Sequence, residues 1–182
     1  MRNSYSNIVN AHRTPKEIMY MIKQQLLEQF LKTPFLRRYS IKWYKKLGVH
    51  FEGVLPRIRP FTLVGDWHYL YLHSGCDINE GCMFVAKDKI EIGEGTAVAY
   101  NVSIYTSAYP HGNKLTKLYP KKIQPVVIGK HCWIGANAVI LPGVEIGDYC
   151  VVAAGSVVTK NVPSGVMVAG SPAVIKKKLE IQ

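Results

Sequence analysis

Ile128-Gly-Lys-His-Cys-Trp-Ile-Gly-Ala-Asn-Ala-Val-Ile-Leu-Pro-Gly-Val-Glu-Ile-Gly-Asp decides how this chain folds. An aliphatic residue stands at Ile128, Ile134, Ile140 and Ile146, and the beat of six continues through Val152 and Val158. Four positions after each comes a small or modest residue: Cys132, Ala138, Val144, Cys150, Ser156 and Val162. A small residue often follows the aliphatic one directly, as at Gly129, Gly135, Gly147 and Ala153. A period of six is neither the 3.6 of an amphipathic helix nor the 2.0 of an alternating strand. Short fixed repeats of this kind predict a β-helix, a coil of short strands stacked in parallel. Three hexads make one triangular coil, and the aliphatic residue of each points into the prism.

The beat extends upstream. Ile92, Val98 and Ile104 keep the spacing, with Gly93 and Ala99 behind the first two; Ile78 and Phe84 keep it again, and Lys87 to Glu91 slips it by two residues. From Thr106 to Val127 it is lost. That stretch holds Pro110, Gly112, Pro120 and Pro125 among His111, Lys114, Lys117, Lys121 and Lys122. It reads as a loop, 106–127, thrown out of the coil. Long loops in compact domains are uncommon and often functional, and this one carries a histidine near its start. A tolerated surface insertion is the plainer alternative.

Charge divides the chain. Residues 1–60 hold 12 Lys+Arg against 3 Asp+Glu, and residues 61–182 hold 11 against 9, so most of the net +11 sits in the first part. There Ile18, Met19, Ile22, Leu26, Leu27 and Phe30 recur at helical spacing. A helix over about residues 15–32 is expected, with Thr14 as N-cap and Pro15 at the first helical position. Lys32 to Lys46 then mixes Arg37, Arg38, Lys42, Lys45 and Lys46 with Phe35, Leu36, Trp43 and Tyr44. Basic and aromatic residues together suit an anionic membrane surface. A helical appendage packed on the coil, with its charges solvated, suits them slightly better. Nucleic acid is not expected, since no binding motif accompanies the charge. The expected organisation is a basic helical appendage, 1–60, followed by a β-helix domain, 61–178.

The first residues lack the blocks of a secretory signal, and no run of 18 apolar residues occurs, so the cytoplasm is the expected compartment. Cys132 and Cys150 share one slot of the repeat, as does Cys82 if its hexad starts at Ile78; they are expected inside, as small hydrophobes. No CxxC pair occurs, which makes a metal reading weak, and the lack of a P-loop or GxGxxG leaves ATP and dinucleotide readings without support.

The quoted stretch resembles the hexapeptide-repeat acyltransferases. Val152-Ala-Ala-Gly-Ser-Val-Val-Thr-Lys-Asn-Val-Pro and Val168-Ala-Gly-Ser-Pro-Ala resemble their C-terminal signature. The resemblance covers about residues 62–178 and is nearest to the sugar O-acetyltransferases, the galactoside, maltose and surface-polysaccharide enzymes. It implies a left-handed parallel β-helix assembled as a homotrimer, with active sites in clefts between subunits and acetyl-CoA lying along the coil. It implies transfer of an acetyl group to a hydroxyl of a sugar or glycan, with no metal required.

The chemistry asks for certain residue types. A hydroxyl is a poor nucleophile at neutral pH, so direct acyl transfer needs a base titrating near neutrality, and imidazole fits. The tetrahedral intermediate needs donors for its oxyanion. His111, in Tyr-Pro-His-Gly, lies near where the family places its catalytic histidine, at the start of the extruded loop. Asn79 matches the asparagine that contacts the acceptor or the intermediate; a coil corner in left-handed geometry would equally explain an asparagine there. The resemblance assigns CoA to Trp133, Ala136, Ala154, Thr159 and Lys160, with Lys177 meeting phosphates as a charge partner. Asp77, Met83 and Tyr109 would line the acceptor pocket. His131, inside a repeat, is expected to be structural or to face solvent.

Other functions remain open at this point. The acceptor nitrogen of an amino-sugar or a xenobiotic would make the protein an N-acetyltransferase. The γ-class carbonic anhydrases share this coil and bind zinc through three histidines. Here His68 and His73 are followed by His111, the reverse of that family's order. A non-catalytic scaffold is the third alternative. A basic apolar N-terminus would suit a lipid-linked acceptor at the inner membrane face.

Overall fold

The computed structural model describes residues 19, 40–108, 115–118 and 120–180. The chain divides into two compact units, Met1–Arg38 and Tyr39–Gln182. Of the helix expected over 15–32, only Met19 is described, and it is helical; the rest lies outside the described residues. Among the described residues no helix is long and apolar enough to cross a membrane.

The second unit is a parallel β-helix with three faces. The first face stacks β1 (His50–Phe51), β4 (Leu70–Leu72), β7 (Ile90–Ile92), β12 (Val126–Ile128) and β15 (Glu145–Ile146). The second stacks β2 (Arg57–Ile58), β5 (Asp77–Ile78), β8 (Ala97–Val98), β13 (Trp133–Ile134), β16 (Val151–Val152), β18 (Val166–Gly170) and β19 (Ala173–Lys178). The third stacks β3 (Thr62–Gly65), β6 (Met83–Ala86), β9 (Ser103–Tyr105), β14 (Val139–Ile140) and β17 (Val157–Val158). The first coil strands therefore lie inside the 1–60 segment expected as an appendage. Ile128 registers with Ile146, Ile134 with Val152 and Ile140 with Val158, three hexads apart in each case. Each of these aliphatic residues is at most 2% exposed. The prism filled by the six-residue beat is the core.

The small residues have two separate jobs. The one directly after the aliphatic residue sits where neighbouring coils touch. A Cβ on Gly129 would lie 2.7 Å from the Asp148 backbone nitrogen, and one on Gly135 2.5 Å from that of Ala154. Where the residue four positions on carries a donor, as at Thr96, Cys132 and Cys150, it is turned to the next coil. Thr96 Oγ1 donates to the Gly129 carbonyl at 2.7 Å, Cys132 Sγ to Gly147 at 3.1 Å and Cys150 Sγ to Pro163 at 3.1 Å. All four cysteines are free and buried. Desolvation pushes the Cys76 thiol up to about 12, and those of Cys82 and Cys132 to about 11.

Both ends are closed, as a solenoid requires. At the N-terminal end a short helix, α1 (Ser40–Leu47), buries Tyr44 against Phe61 and Trp67, each at 5.6 Å between ring centroids. Phe61 reaches Phe84 at 5.0 Å, which joins this aromatic cluster to the prism. Lys42, Lys45 and Lys46 stay exposed, so this part of the basic segment is a packed helix with solvated charges. At the other end β19 turns back antiparallel on β18.

Candidate active site

The extruded loop is built, not merely omitted from the coil. Ile92 registers directly with Ile128, so the coil continues beneath the insertion. Thr106 anchors its root and is fully buried. Its hydroxyl donates to the Val85 carbonyl at 2.9 Å and accepts from the Lys87 and Asp88 backbone at 2.8 and 3.0 Å. Gln124 N donates to the Thr106 carbonyl at 2.9 Å and closes the base. Above it β10 (Ser107–Ala108) and β11 (Lys122–Ile123) pair antiparallel, and α2 (Leu115–Leu118) forms a single helical turn. The two residues by which Lys87 to Glu91 slips the beat supply the amides that hold Thr106. His111 and Tyr109 lie outside the described residues.

The loop leaves at the corner between the third and first faces. Thr159 and Lys160 follow β17 at that same corner, in later coils, and both are exposed. Trp133 stands on the outer side of the second face and is 59% exposed. One register row there runs Arg57, Asp77, Ala97, Trp133, Val151, Met167 and Lys177. Trp133 and Lys177 thus share an outer face, about 14 Å apart at roughly 4.8 Å per strand.

Ala136 and Ala154 stack on the corner between the second and third faces, the Gly155 amide donating to the Ala136 carbonyl at 2.8 Å. Tyr100 occupies the same corner one coil earlier, where the Asn137 amide donates to its carbonyl at 3.0 Å. Asn79 begins that corner in the coil before. Its backbone amide donates to Val98 at 2.9 Å and its Nδ2 to the same carbonyl at 3.0 Å. Asn79 is not left-handed; among the described non-glycine residues Asn101, His131, Asn137 and Tyr149 are. The corner geometry that would have explained an asparagine therefore belongs to its neighbours. Met83 lies half-buried on the third face, in register with Ser103.

Asp77 is held by Arg57 at 3.5 Å through Oδ2, while its Oδ1 is buried without a hydrogen-bond partner. His131 is exposed and stacks on Tyr149 at 5.2 Å. His68 bonds Asp66 at 2.8 Å, and His73 lies between Glu52 at 2.6 Å and Glu91 at 2.9 Å. Among the described residues no group of three His, Cys, Asp or Glu side chains is arranged to hold a metal ion.

Sequence reasoning missed Arg59 and Tyr100. Arg59 Nη1 donates to Asn79 Oδ1 and, at 3.1 Å, to the Tyr100 hydroxyl. Their signal was present: Ile58 registers with Ile78 and Ile78 with Val98, which puts Arg59 and Asn79 in one column. The early coils are longer than three hexads, and that hid the match.

A left-handed β-helix with an extruded loop and a small-residue corner defines a class of acyl-group transferases. The residues 125–160 match the family described as the hexapeptide repeat of succinyl-transferase. Galactoside O-acetyltransferase of Escherichia coli (strain K12) is 35% identical over 124 residues, 62% of this chain and 61% of that protein. This chain thus spans about three-fifths of that relative's length. A maltose O-acetyltransferase structure from Clostridium difficile 630 is 30% identical, with a TM-score of 0.73 over 91% of this chain and 88% of that one. A hexapeptide-repeat acetyltransferase of Vibrio cholerae O1 biovar eltor, solved with acetyl-coenzyme A, is 25% identical, with a TM-score of 0.79 over 92% of each chain. The chain belongs to the hexapeptide-repeat acetyltransferase family.

Proposed function

We propose that this protein moves an acetyl group from acetyl-CoA to a hydroxyl of a sugar or glycan. One observation carries the reading: Asn79, Ala136 and Ala154 share a single corner of the coil, beside the exposed Trp133. Small corner residues leave backbone groups within reach of a pantetheine arm, and Trp133 offers a flat apolar face. Thr159, Lys160 and Lys177 are exposed cations and donors suited to phosphates. His111 takes the acceptor proton as general base, and the Asn79 amide donates to the oxyanion. Asp77, with an unpartnered carboxylate oxygen, Met83 and Tyr109 serve the acceptor. The galactoside and maltose relatives support a saccharide acceptor. No metal takes part in this scheme.

The assembly that goes with this reading is a homotrimer in the cytoplasm, with clefts between subunits. The basic segment 1–60 would hold it at an anionic membrane face. The experiment is thiol release from acetyl-CoA with a panel of saccharides, run beside a thermal shift with acetyl-CoA. Turnover that His111→Ala lowers at least about a hundredfold, with the acetyl-CoA shift retained, supports the reading. Turnover unchanged in that variant moves the base elsewhere, and no acetyl-CoA shift at all removes the activity.

A further inference from the structure

Arg59 bridges three successive coils. Its Nη1 donates to Asn79 Oδ1 in the next coil and to the Tyr100 hydroxyl at 3.1 Å in the one after. Its guanidinium carbon lies 6.0 Å from the Tyr100 ring centroid. Arg57, two residues earlier, is exposed and pairs with Asp77. Arg59 is half-buried, and among the described residues no carboxylate pairs with it. Its partners are a neutral amide and a phenol, so balancing surface charge does not explain its place.

Both ends of the Asn79 amide are engaged. Nδ2 donates to the Val98 carbonyl at 3.0 Å, and Oδ1 accepts from Arg59. Turning the amide over would set oxygen against the Val98 carbonyl and NH2 against the guanidinium, exchanging two hydrogen bonds for two repulsions. One Nδ2 hydrogen is left unused by these contacts. We propose that Arg59 is a positioning residue for acyl transfer, locking the Asn79 amide so that its free N–H is held for the reacting group. The guanidinium charge beside Oδ1 also polarises the amide and strengthens that N–H as a donor to a developing oxyanion. The inference rests on the acetyl-transfer reading above.

The test is a double-mutant cycle read as thiol release from acetyl-CoA, with methyl galactoside, maltose and water as acceptors. Arg59→Met keeps an unbranched apolar stem and removes the donors. It lowers kcat about 10- to 100-fold while KM for acetyl-CoA moves less than about twofold. Asn79→Ala loses at least as much, and the double variant loses no more than Asn79→Ala alone. Arg59→Lys, which keeps the charge, recovers part of kcat. If Arg59→Met does not fold, Arg59→Lys and Arg59→Gln carry the same cycle. Near-normal kcat in the Arg59 variants beside an impaired Asn79→Ala, or losses that add, overturns the positioning role alone. Unchanged turnover in Asn79→Ala removes the amide's role and the inference with it. A wild-type chain that releases no thiol with any acceptor sinks the acetyl-transfer reading itself.

Discussion

Ile134 and Trp133 are neighbours on β13 and point to opposite sides of the second face. Ile134 is fully buried and Trp133 is 59% exposed. Replacing each by alanine separates fold from function. Ile134→Ala removes three carbons, about 2.4 kcal/mol at roughly 0.8 kcal/mol per buried methylene. The vacated space lies between Val98 and Val152, which register with Ile134 on either side. Strand stacking fixes those neighbours at about 4.8 Å spacing, so the space collapses little and the total rises to about 3–4 kcal/mol. At about 2–4 °C per kcal/mol for a chain of this size, Tm falls by about 6–16 °C. Trp133→Ala gives up little buried area and changes stability by less than about 1 kcal/mol. It instead loses an aromatic face for the cofactor, about 1–3 kcal/mol if an adenine stacks there, or roughly a 5- to 150-fold weaker Kd. Thermal unfolding and calorimetric titration with acetyl-CoA read the two effects separately. A Trp133→Ala variant with unchanged Kd refutes the cofactor assignment. One whose Tm drops as far as that of Ile134→Ala places Trp133 in a buried interface.

Two further predictions concern titration. The Glu91 carboxyl is held below the usual range by Lys89, 2.6 Å away, with His73 adding to this and partial burial opposing it. A lowered folded pKa adds stability above the unfolded value, about 4.3 for glutamate, and loses it as pH falls through the folded one; Glu91→Gln therefore flattens the acid limb of Tm against pH between about pH 5 and 3, and an unchanged limb argues against the contact. The raised thiols of Cys76, Cys82 and Cys132 work the other way. Above about pH 8.5 only the unfolded chain ionises them, so stability falls as pH rises towards 11, and a thiol reagent at pH 8 labels these cysteines only after unfolding; rapid labelling of the native chain contradicts their burial.

The coil was legible because its core is periodic. Ile128 to Val158 point inward at every sixth residue, and the cysteines of the fourth slot are buried beside them. The two-residue slip at Lys87 to Glu91 and the loop from Thr106 were visible as breaks in that beat. What the breaks are for was not visible. Thr106 is one threonine among several until the amides of Lys87 and Asp88 are seen to converge on its hydroxyl. The helix Ser40–Leu47 was hidden for a different reason. It is two turns long and buries only Ser40 and Tyr44, too few positions to establish a helical period. The outer residues of the site follow no repeat at all, because a side chain facing solvent or substrate is not constrained by the prism.

One column of the coil connects its architecture to its chemistry. Arg59, Asn79, Ala99, Gly135 and Ala153 each follow the register-paired core position of the second face, and each backbone amide donates to the coil below. Side-chain size falls along the column from arginine and asparagine to alanine and glycine. At the small end the backbones lie so close that a Cβ on Gly135 would sit 2.7 Å from the Val152 carbonyl oxygen. Nothing larger than alanine stands there, and the corner beside it, Ala136 over Ala154, is equally bare. At the large end Arg59 and Tyr100 hold an amide in one orientation. A rigid polar group at one end of a smooth track is what acyl transfer from a long thioester asks of a surface: an arm laid along backbone, and a fixed donor where charge develops. The loop from Thr106 leaves elsewhere, at the corner between the third and first faces.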